Sequence, residues 1–192
     1  MIPNLITIGR LLLIPLILWL ATRTSTAALG AALGLFVAAG ISDWLDGYLA
    51  RRWHQISPFG KLMDPIADKM LVLGLLFVFS RLRVLPLWIP LVHLFRELLV
   101  SGVRSVFAAR GRVVGANWMG KTKFWLQLGL CAGIFAWLIA GSAGRSVEGS
   151  RGIVLWSAVG VTAVSVLFAA NFLRWHAEEL FSPVPADDDE EA

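Results

Sequence analysis

The chain has 192 residues, of which 57% are hydrophobic and only 16% charged, and its formal net charge is +4. One domain is expected from that length, too apolar for an ordinary soluble protein and carrying the long apolar runs of a membrane protein. The single cysteine, Cys131, excludes a disulfide framework and a cysteine metal site, and the modest basic excess reads as anchoring at a cytoplasmic membrane face, not as nucleic-acid binding.

Six apolar segments of membrane length follow one another, so the expected fold is an all-α integral membrane protein, a bundle of six transmembrane helices. The first covers 4–21, NLITIGRLLLIPLILWLA, close to the roughly 20 residues that cross a bilayer. It has no basic region ahead of it and contains Arg10, so it reads as a retained helix and not a cleaved leader. Pro15 can kink it where neighbouring helices satisfy the freed carbonyl. Asn4, Thr7 and Arg10 fall on about one face. Either Arg10 snorkels to the interface, or the three residues point into a polar cavity.

The second segment, 27–52, is dense in small residues (Gly30, Ala31, Ala32, Gly34, Ala38, Ala39 and Gly40), which let membrane helices approach closely. Ser57-Pro58 is a turn and helix-start signal before the third segment, 61–80. The fourth, 87–109, places Arg96, Val100 and Arg104 on one face at i, i+4 and i+8. A Glu97–arginine pair can hold helices together, but one carboxylate cannot neutralise two arginines. Surplus positive charge at membrane depth points to an anionic ligand.

A basic, glycine-rich connection, ARGRVVGANWMGKTKF, leads into the fifth segment, 119–140. Lys121 and Lys123 at that helix start oppose the helix dipole, which favours phosphate binding over a structural role. The sixth segment is 152–175. Residues 1–181 make one membrane domain, and the acidic tail 182–192 is expected to be disordered. His54, His93 and His176 read as structural or interfacial. An even number of spans puts both termini on one side. The loop charges, including Arg51, Arg52, Lys61, Arg110 and Arg112, make that side cytoplasmic.

Asp43, Asp46, Asp64 and Asp68 lie within 26 residues of one another. Each carboxylate costs roughly 2.5–3.5 kcal/mol at a bilayer centre on insertion scales, so the four need compensation. The i, i+3 and i, i+4 spacings put each pair on one face of a helix, and two helices joined by a polar turn would bring the pairs together. A hard oxygen set of this kind suits Mg²⁺, Mn²⁺ or Ca²⁺ and not zinc. Carboxylates at a membrane surface paired with Arg51, Arg52 and Lys61 are the plain alternative, and they leave Gly47, Ala50 and Gly60 unexplained. An ion transporter or a non-catalytic scaffold is the alternative of another class.

The pattern Asp43-x2-Asp46-Gly47-x2-Ala50-Arg51-x8-Gly60-x3-Asp64-x3-Asp68 resembles the signature of the CDP-alcohol phosphatidyltransferases, and the resemblance covers about residues 2–130. It implies that an alcohol attacks the β-phosphate of a CDP-linked lipid and that CMP leaves. It further implies two divalent ions, Mg²⁺ or Mn²⁺, on Asp43, Asp46, Asp64 and Asp68, with Asp68 also the general base. Asn4, Thr7, Arg10, Gly47, Ala50, Arg51 and Gly60 would bind the CDP-lipid. A homodimer in the plasma membrane with its site facing the cytoplasm is also implied.

Arg96-Glu97, Arg104, Gly120-Lys121-x-Lys123, Gln127 and the opening PNLIT with Arg10 are similar to the members that use CDP-diacylglycerol and glycerol 3-phosphate. Arg96, Arg104 and Lys121 would then hold the acceptor phosphate. Phe124 departs from the threonine usual there. Inositol phosphate or phosphatidylglycerol as acceptor stays open.

Overall fold

The apolar runs, separated by proline, glycine and charged residues, become helices. In order they are α1 (Ile2–Ala21), α2 (Thr26–Arg52), α3 (Pro58–Arg81), α4 (Trp88–Ala109), α5 (Trp118–Ser142) and α6 (Arg151–Phe181), with a 3-10 turn at Glu148–Ser150 before α6. The structure, a computed structural model, describes residues 2–52, 58–112 and 118–181. The side chains of 2–8, 43–52, 58–62, 64, 65 and 179–181 fall outside that description, as do His54 and the acidic tail. Five of the six helices match the expected segments closely. The sixth runs on to Phe181 because HAEELF contains neither glycine nor proline to stop it. Pro58 opens α3, where its missing N–H costs nothing.

Three helices end in the same way. At the end of α4, the N–H of Gly111 bonds to the carbonyl of Ala108 and that of Arg112 to Phe107, with Gly111 at φ 72°. At the end of α5, Gly144 bonds to Gly141 and Arg145 to Ala140, with Gly144 at φ 79°. Both are Schellman ends, which need a left-handed residue that glycine supplies without strain. The end of α3 repeats the pattern with Arg83 at φ 58°, a conformation that costs an ordinary residue roughly 1–2 kcal/mol. The carbonyl of Arg83 accepts a 2.9 Å hydrogen bond from Arg151 Nη2, which ties this turn to the start of α6.

Among the described residues, α1 packs on α2 and α3, α2 on α5, α3 on α4 and α5, and α6 on α4 and α5. Small residues sit at these contacts: Ala32, Ala67 and Ala158 are fully buried. Aromatic packing fixes the core, with Phe79 edge-on to Phe135 at 5.2 Å and Phe36 beside Phe135 at 6.1 Å. Cys131 is buried there as a free thiol, as its apolar setting implied.

The outside of the bundle is apolar. Leu12, Phe95, Leu98, Trp125, Ile153, Trp156 and Leu167 are each more than 60% exposed. In water, so much exposed apolar surface would be an aggregation hazard; in lipid it costs nothing. Among the described residues, Trp118–Ser142 and Glu148–Glu178 are long and apolar enough to cross a membrane, and Gly9–Ala21 and Thr26–Ser42 are shorter apolar stretches.

Candidate functional site

Helix α4 has two faces. Leu91, Phe95 and Leu98 point outward, while His93, Glu97 and Val100 are buried. The inward face meets α3 and α5 around a cavity of about 200 Å³. Its polar lining is Asp68 and Lys69 from α3, Arg96, Glu97, Ser101 and Arg104 from α4, and Lys123 and Gln127 from α5.

Glu97 is the charge centre of this lining. It is 7% exposed and accepts a 2.8 Å hydrogen bond from Arg96 Nη1. Lys123 Nζ binds the same oxygen, and Lys69 Nζ lies 3.8 Å from the other. Lys69 also donates to Ser101 Oγ. One carboxylate therefore serves three cations. Arg104 has no carboxylate partner among the described residues, and its guanidinium lies 5.6 Å from the centroid of the Phe172 ring. The Nε atoms of Arg96 and Arg104 are buried and meet no acceptor among the described residues. Buried donors are rarely left so in native proteins. Among the described residues the lining thus carries more cations than carboxylates, a setting whose chemistry suits an anion, and arginine suits a phosphate because it can donate two parallel hydrogen bonds.

Asp68 lies at the edge of the same cavity and is held from α1. Arg10, 3% exposed, donates from Nη1 to Asp68 Oδ1 at 2.9 Å across 58 positions of sequence. Arg10 therefore does not snorkel; it is an internal residue that fixes a carboxylate. Deeper in the bundle, a second polar chain crosses three helices. Gln127 Nε2 is 2.7 Å from His93 Nδ1, His93 Nε2 is 3.1 Å from Thr162 Oγ1, and Thr162 Oγ1 donates to the Ala158 carbonyl at 2.8 Å. His93 is thus structural, as expected. His176 is too, donating from Nδ1 to the Phe172 carbonyl at 2.8 Å.

Of the residues given a binding or catalytic role by the resemblance, the structure brings together Arg10, Asp68, Arg96 and Arg104. It does not bring Lys121 to them. Lys121 is exposed and takes no part in the cavity lining, whereas Lys123, two residues on, is buried there. Asn4 and Thr7 lie on α1, Asp43, Asp46, Gly47, Ala50 and Arg51 on α2, and Gly60 and Asp64 on α3; their side chains lie outside the described residues. Lys69 and Ser101 were not assigned to a site from sequence, and Gln127 was named there only as part of a pattern, with no role of its own. The i, i+4 pair Lys123 and Gln127 was the available signal, since it puts both on one face of α5.

The donor set fits a divalent cation in its chemistry, because Asp68 is a hard oxygen ligand at the cavity edge and the three further aspartates of the motif are of the same kind. Among the described residues, no three histidine, cysteine, aspartate or glutamate side chains come together as a metal-binding group.

The profile of the CDP-alcohol phosphatidyltransferase family matches residues 1–164. A CDP-diacylglycerol–glycerol-3-phosphate 3-phosphatidyltransferase of Bacillus subtilis is 39% identical over 140 residues, which is 66% of this chain and 72% of the relative. The protein of the same name from Rickettsia bellii is 35% identical over 169 residues, covering 85% of this chain and 90% of the relative. A CMP-forming cardiolipin synthase of Streptomyces coelicolor is 44% identical over 124 residues, covering 62% of this chain and 58% of the relative.

Proposed function

Because this chain belongs to the CDP-alcohol phosphatidyltransferase family, we propose that it transfers the phosphatidyl group of CDP-diacylglycerol to glycerol 3-phosphate, giving phosphatidylglycerol phosphate and CMP. The observation that carries the acceptor is the cavity beside Asp68, whose surplus cations and two orphaned Nε donors call for a small phosphorylated molecule. Relatives named for this reaction, matched over as much as 92% of their own length, support it.

In the proposed reaction, the hydroxyl oxygen of the acceptor forms a bond to the lipid-side phosphorus, and the phosphorus–oxygen bond to CMP breaks with its electron pair leaving on CMP. The hydroxyl proton passes to Asp68. Arg10 holds Asp68 as a charged, oriented carboxylate, which a general base requires. Arg96 and Arg104 bind the acceptor phosphate and so place the attacking hydroxyl toward Asp68. Such positioning converts a bimolecular encounter into a local one. Lys123 and Lys69 are kept beside the phosphate by Glu97. Lys121, exposed at the start of α5, draws the dianion toward the cavity. Divalent ions, Mg²⁺ or Mn²⁺, on Asp43, Asp46, Asp64 and Asp68 would neutralise the diphosphate and the departing oxygen. Asn4, Thr7, Gly47, Ala50, Arg51 and Gly60 belong to the CDP-lipid side. Six spans, with both termini and the site on the cytoplasmic side of the plasma membrane, and a homodimer complete the proposal.

A phosphatidylglycerol acceptor is the second reading, favoured by the 44% identity to the cardiolipin synthase. The proposed catalytic assignment is tested by Asp64→Asn. The purified variant should insert and fold as wild type yet release no CMP at any Mg²⁺ concentration; unchanged turnover refutes the assignment.

A further inference from the structure

The cavity described above is lined by cations and carboxylates, with one neutral hydrogen-bonding side chain from α5, Gln127. Its orientation is set by a chain of bonds that admits one proton arrangement. Thr162 Oγ1 lies 2.8 Å from the Ala158 carbonyl, and a carbonyl can only accept, so the single hydroxyl proton of Thr162 goes there. Thr162 therefore faces His93 Nε2, 3.1 Å away, as an acceptor, and Nε2 carries the ring proton. His93 is fully buried and neutral in this arrangement, so Nδ1 is bare. The group 2.7 Å from Nδ1 must then donate, which makes it the amide nitrogen of Gln127. The amide oxygen of Gln127, a residue of the cavity lining, is left on the other side of the amide group from His93. Among the described residues, no protein donor is bonded to it.

A bare acceptor oxygen in a cationic cavity repels phosphate oxygens and attracts a hydroxyl donor. We infer that Gln127 Oε1 accepts a hydrogen bond from the non-reacting secondary hydroxyl of the acceptor, and that His93 and Thr162 are positioning residues which keep that oxygen turned inward. Gln127 is then a specificity determinant for a polyol phosphate over a simple hydroxyalkyl phosphate. This rests on the acceptor reading given under the proposed function. It adds to that reading a contact that discriminates by hydroxyl and not by charge. A site built to bond a substrate hydroxyl rejects the analogue lacking it, because the site's own polar group is left unpaired.

The test compares glycerol 3-phosphate with 3-hydroxypropyl phosphate, which keeps the phosphate and the attacking primary hydroxyl but lacks the secondary one. CMP release is measured in detergent micelles with saturating CDP-diacylglycerol. Wild-type enzyme should prefer glycerol 3-phosphate by roughly tenfold in kcat/KM, the order supplied by one neutral hydrogen bond. Gln127→Met should remove that preference by raising KM for glycerol 3-phosphate while leaving the analogue near its wild-type value. Thr162→Val, which frees the chain to reverse, should narrow the preference in the same direction, and Thr162→Ser should restore it. Equal losses on both substrates, or a preference unchanged in Gln127→Met and Thr162→Val, overturn the inference. Wild-type enzyme that uses the two acceptors equally well overturns it while leaving the acceptor reading intact. Wild-type enzyme inactive with glycerol 3-phosphate removes both.

Discussion

Arg104 separates binding from stability more cleanly than any other residue of the site. Among the described residues, no carboxylate balances its charge, its buried Nε meets no acceptor, and it makes one ring contact, to Phe172 at 5.6 Å. In its proposed role, replacing it with alanine removes one charge-assisted hydrogen bond to the acceptor phosphate, worth ~1.5–3 kcal/mol, or roughly a 10- to 150-fold change. Among the described contacts the fold loses the ring contact, about 0.5–1 kcal/mol for a partly exposed pair, and gains relief from repulsion by Lys69 and Arg96, so the two effects on stability oppose each other. The expected outcome for Arg104→Ala is a 10- to 150-fold rise in KM for glycerol 3-phosphate, little change in apparent affinity for CDP-diacylglycerol, and a thermal midpoint near that of wild type. Acceptor titrations by CMP release at saturating CDP-lipid, with a melting curve on the same micelle preparation, measure all three. Arg104→Lys keeps the charge but not the fork and should fall in between. A large fall in thermal midpoint with an unchanged KM for the acceptor would show that Arg104 is a structural residue and refute the reasoning.

Glu97→Gln should behave in the opposite way. Breaking a buried charge cluster by removing one partner costs about 3–5 kcal/mol, and Arg96, Lys69 and Lys123 all lose their shared carboxylate, so a clear fall in thermal midpoint is expected. At Gly74, an added Cβ would come within 2.8 Å of Leu18 Cδ1. Gly74→Ala should be absorbed by a shift of that flexible leucine. Gly74→Val should cost ~1–3 kcal/mol by overpacking and lower activity by displacing α1, and with it Arg10, from Asp68; melting curves and CMP release on the two variants check this. At the end of α3, Arg83→Gly should raise stability by about 1 kcal/mol by relieving the left-handed strain, read as a small rise in thermal midpoint with activity unchanged.

The six helices were legible because long apolar runs punctuated by proline, glycine and charge leave few alternatives for chain length and composition. The cavity lining was legible where residues of one kind recur on a helical period, as with Arg96 and Arg104. The choice between Lys121 and Lys123 was not, because two lysines at the start of a helix differ by about 200° in azimuth, and only the packing of α5 against α3 and α4 decides which one faces inward. Lys69 was hidden beside Asp68, since a lone lysine has no periodic partner. Arg10 could be seen as anomalous in an apolar helix, yet its partner lies 58 positions away, beyond any local pattern. The Gln127–His93–Thr162 chain joins three helices, and neither His93 nor Thr162 carries a sequence signal by itself.

The most direct test of the central claim is product formation by the purified wild-type chain in micelles, given CDP-diacylglycerol, Mg²⁺ and one acceptor at a time: glycerol 3-phosphate, inositol phosphate, phosphatidylglycerol, or free glycerol. The account predicts that glycerol 3-phosphate alone yields CMP and a lipid of the mass of phosphatidylglycerol phosphate, in equal amounts, and that a chelator stops both. CMP release with phosphatidylglycerol and none with glycerol 3-phosphate would contradict it and make the chain a cardiolipin synthase.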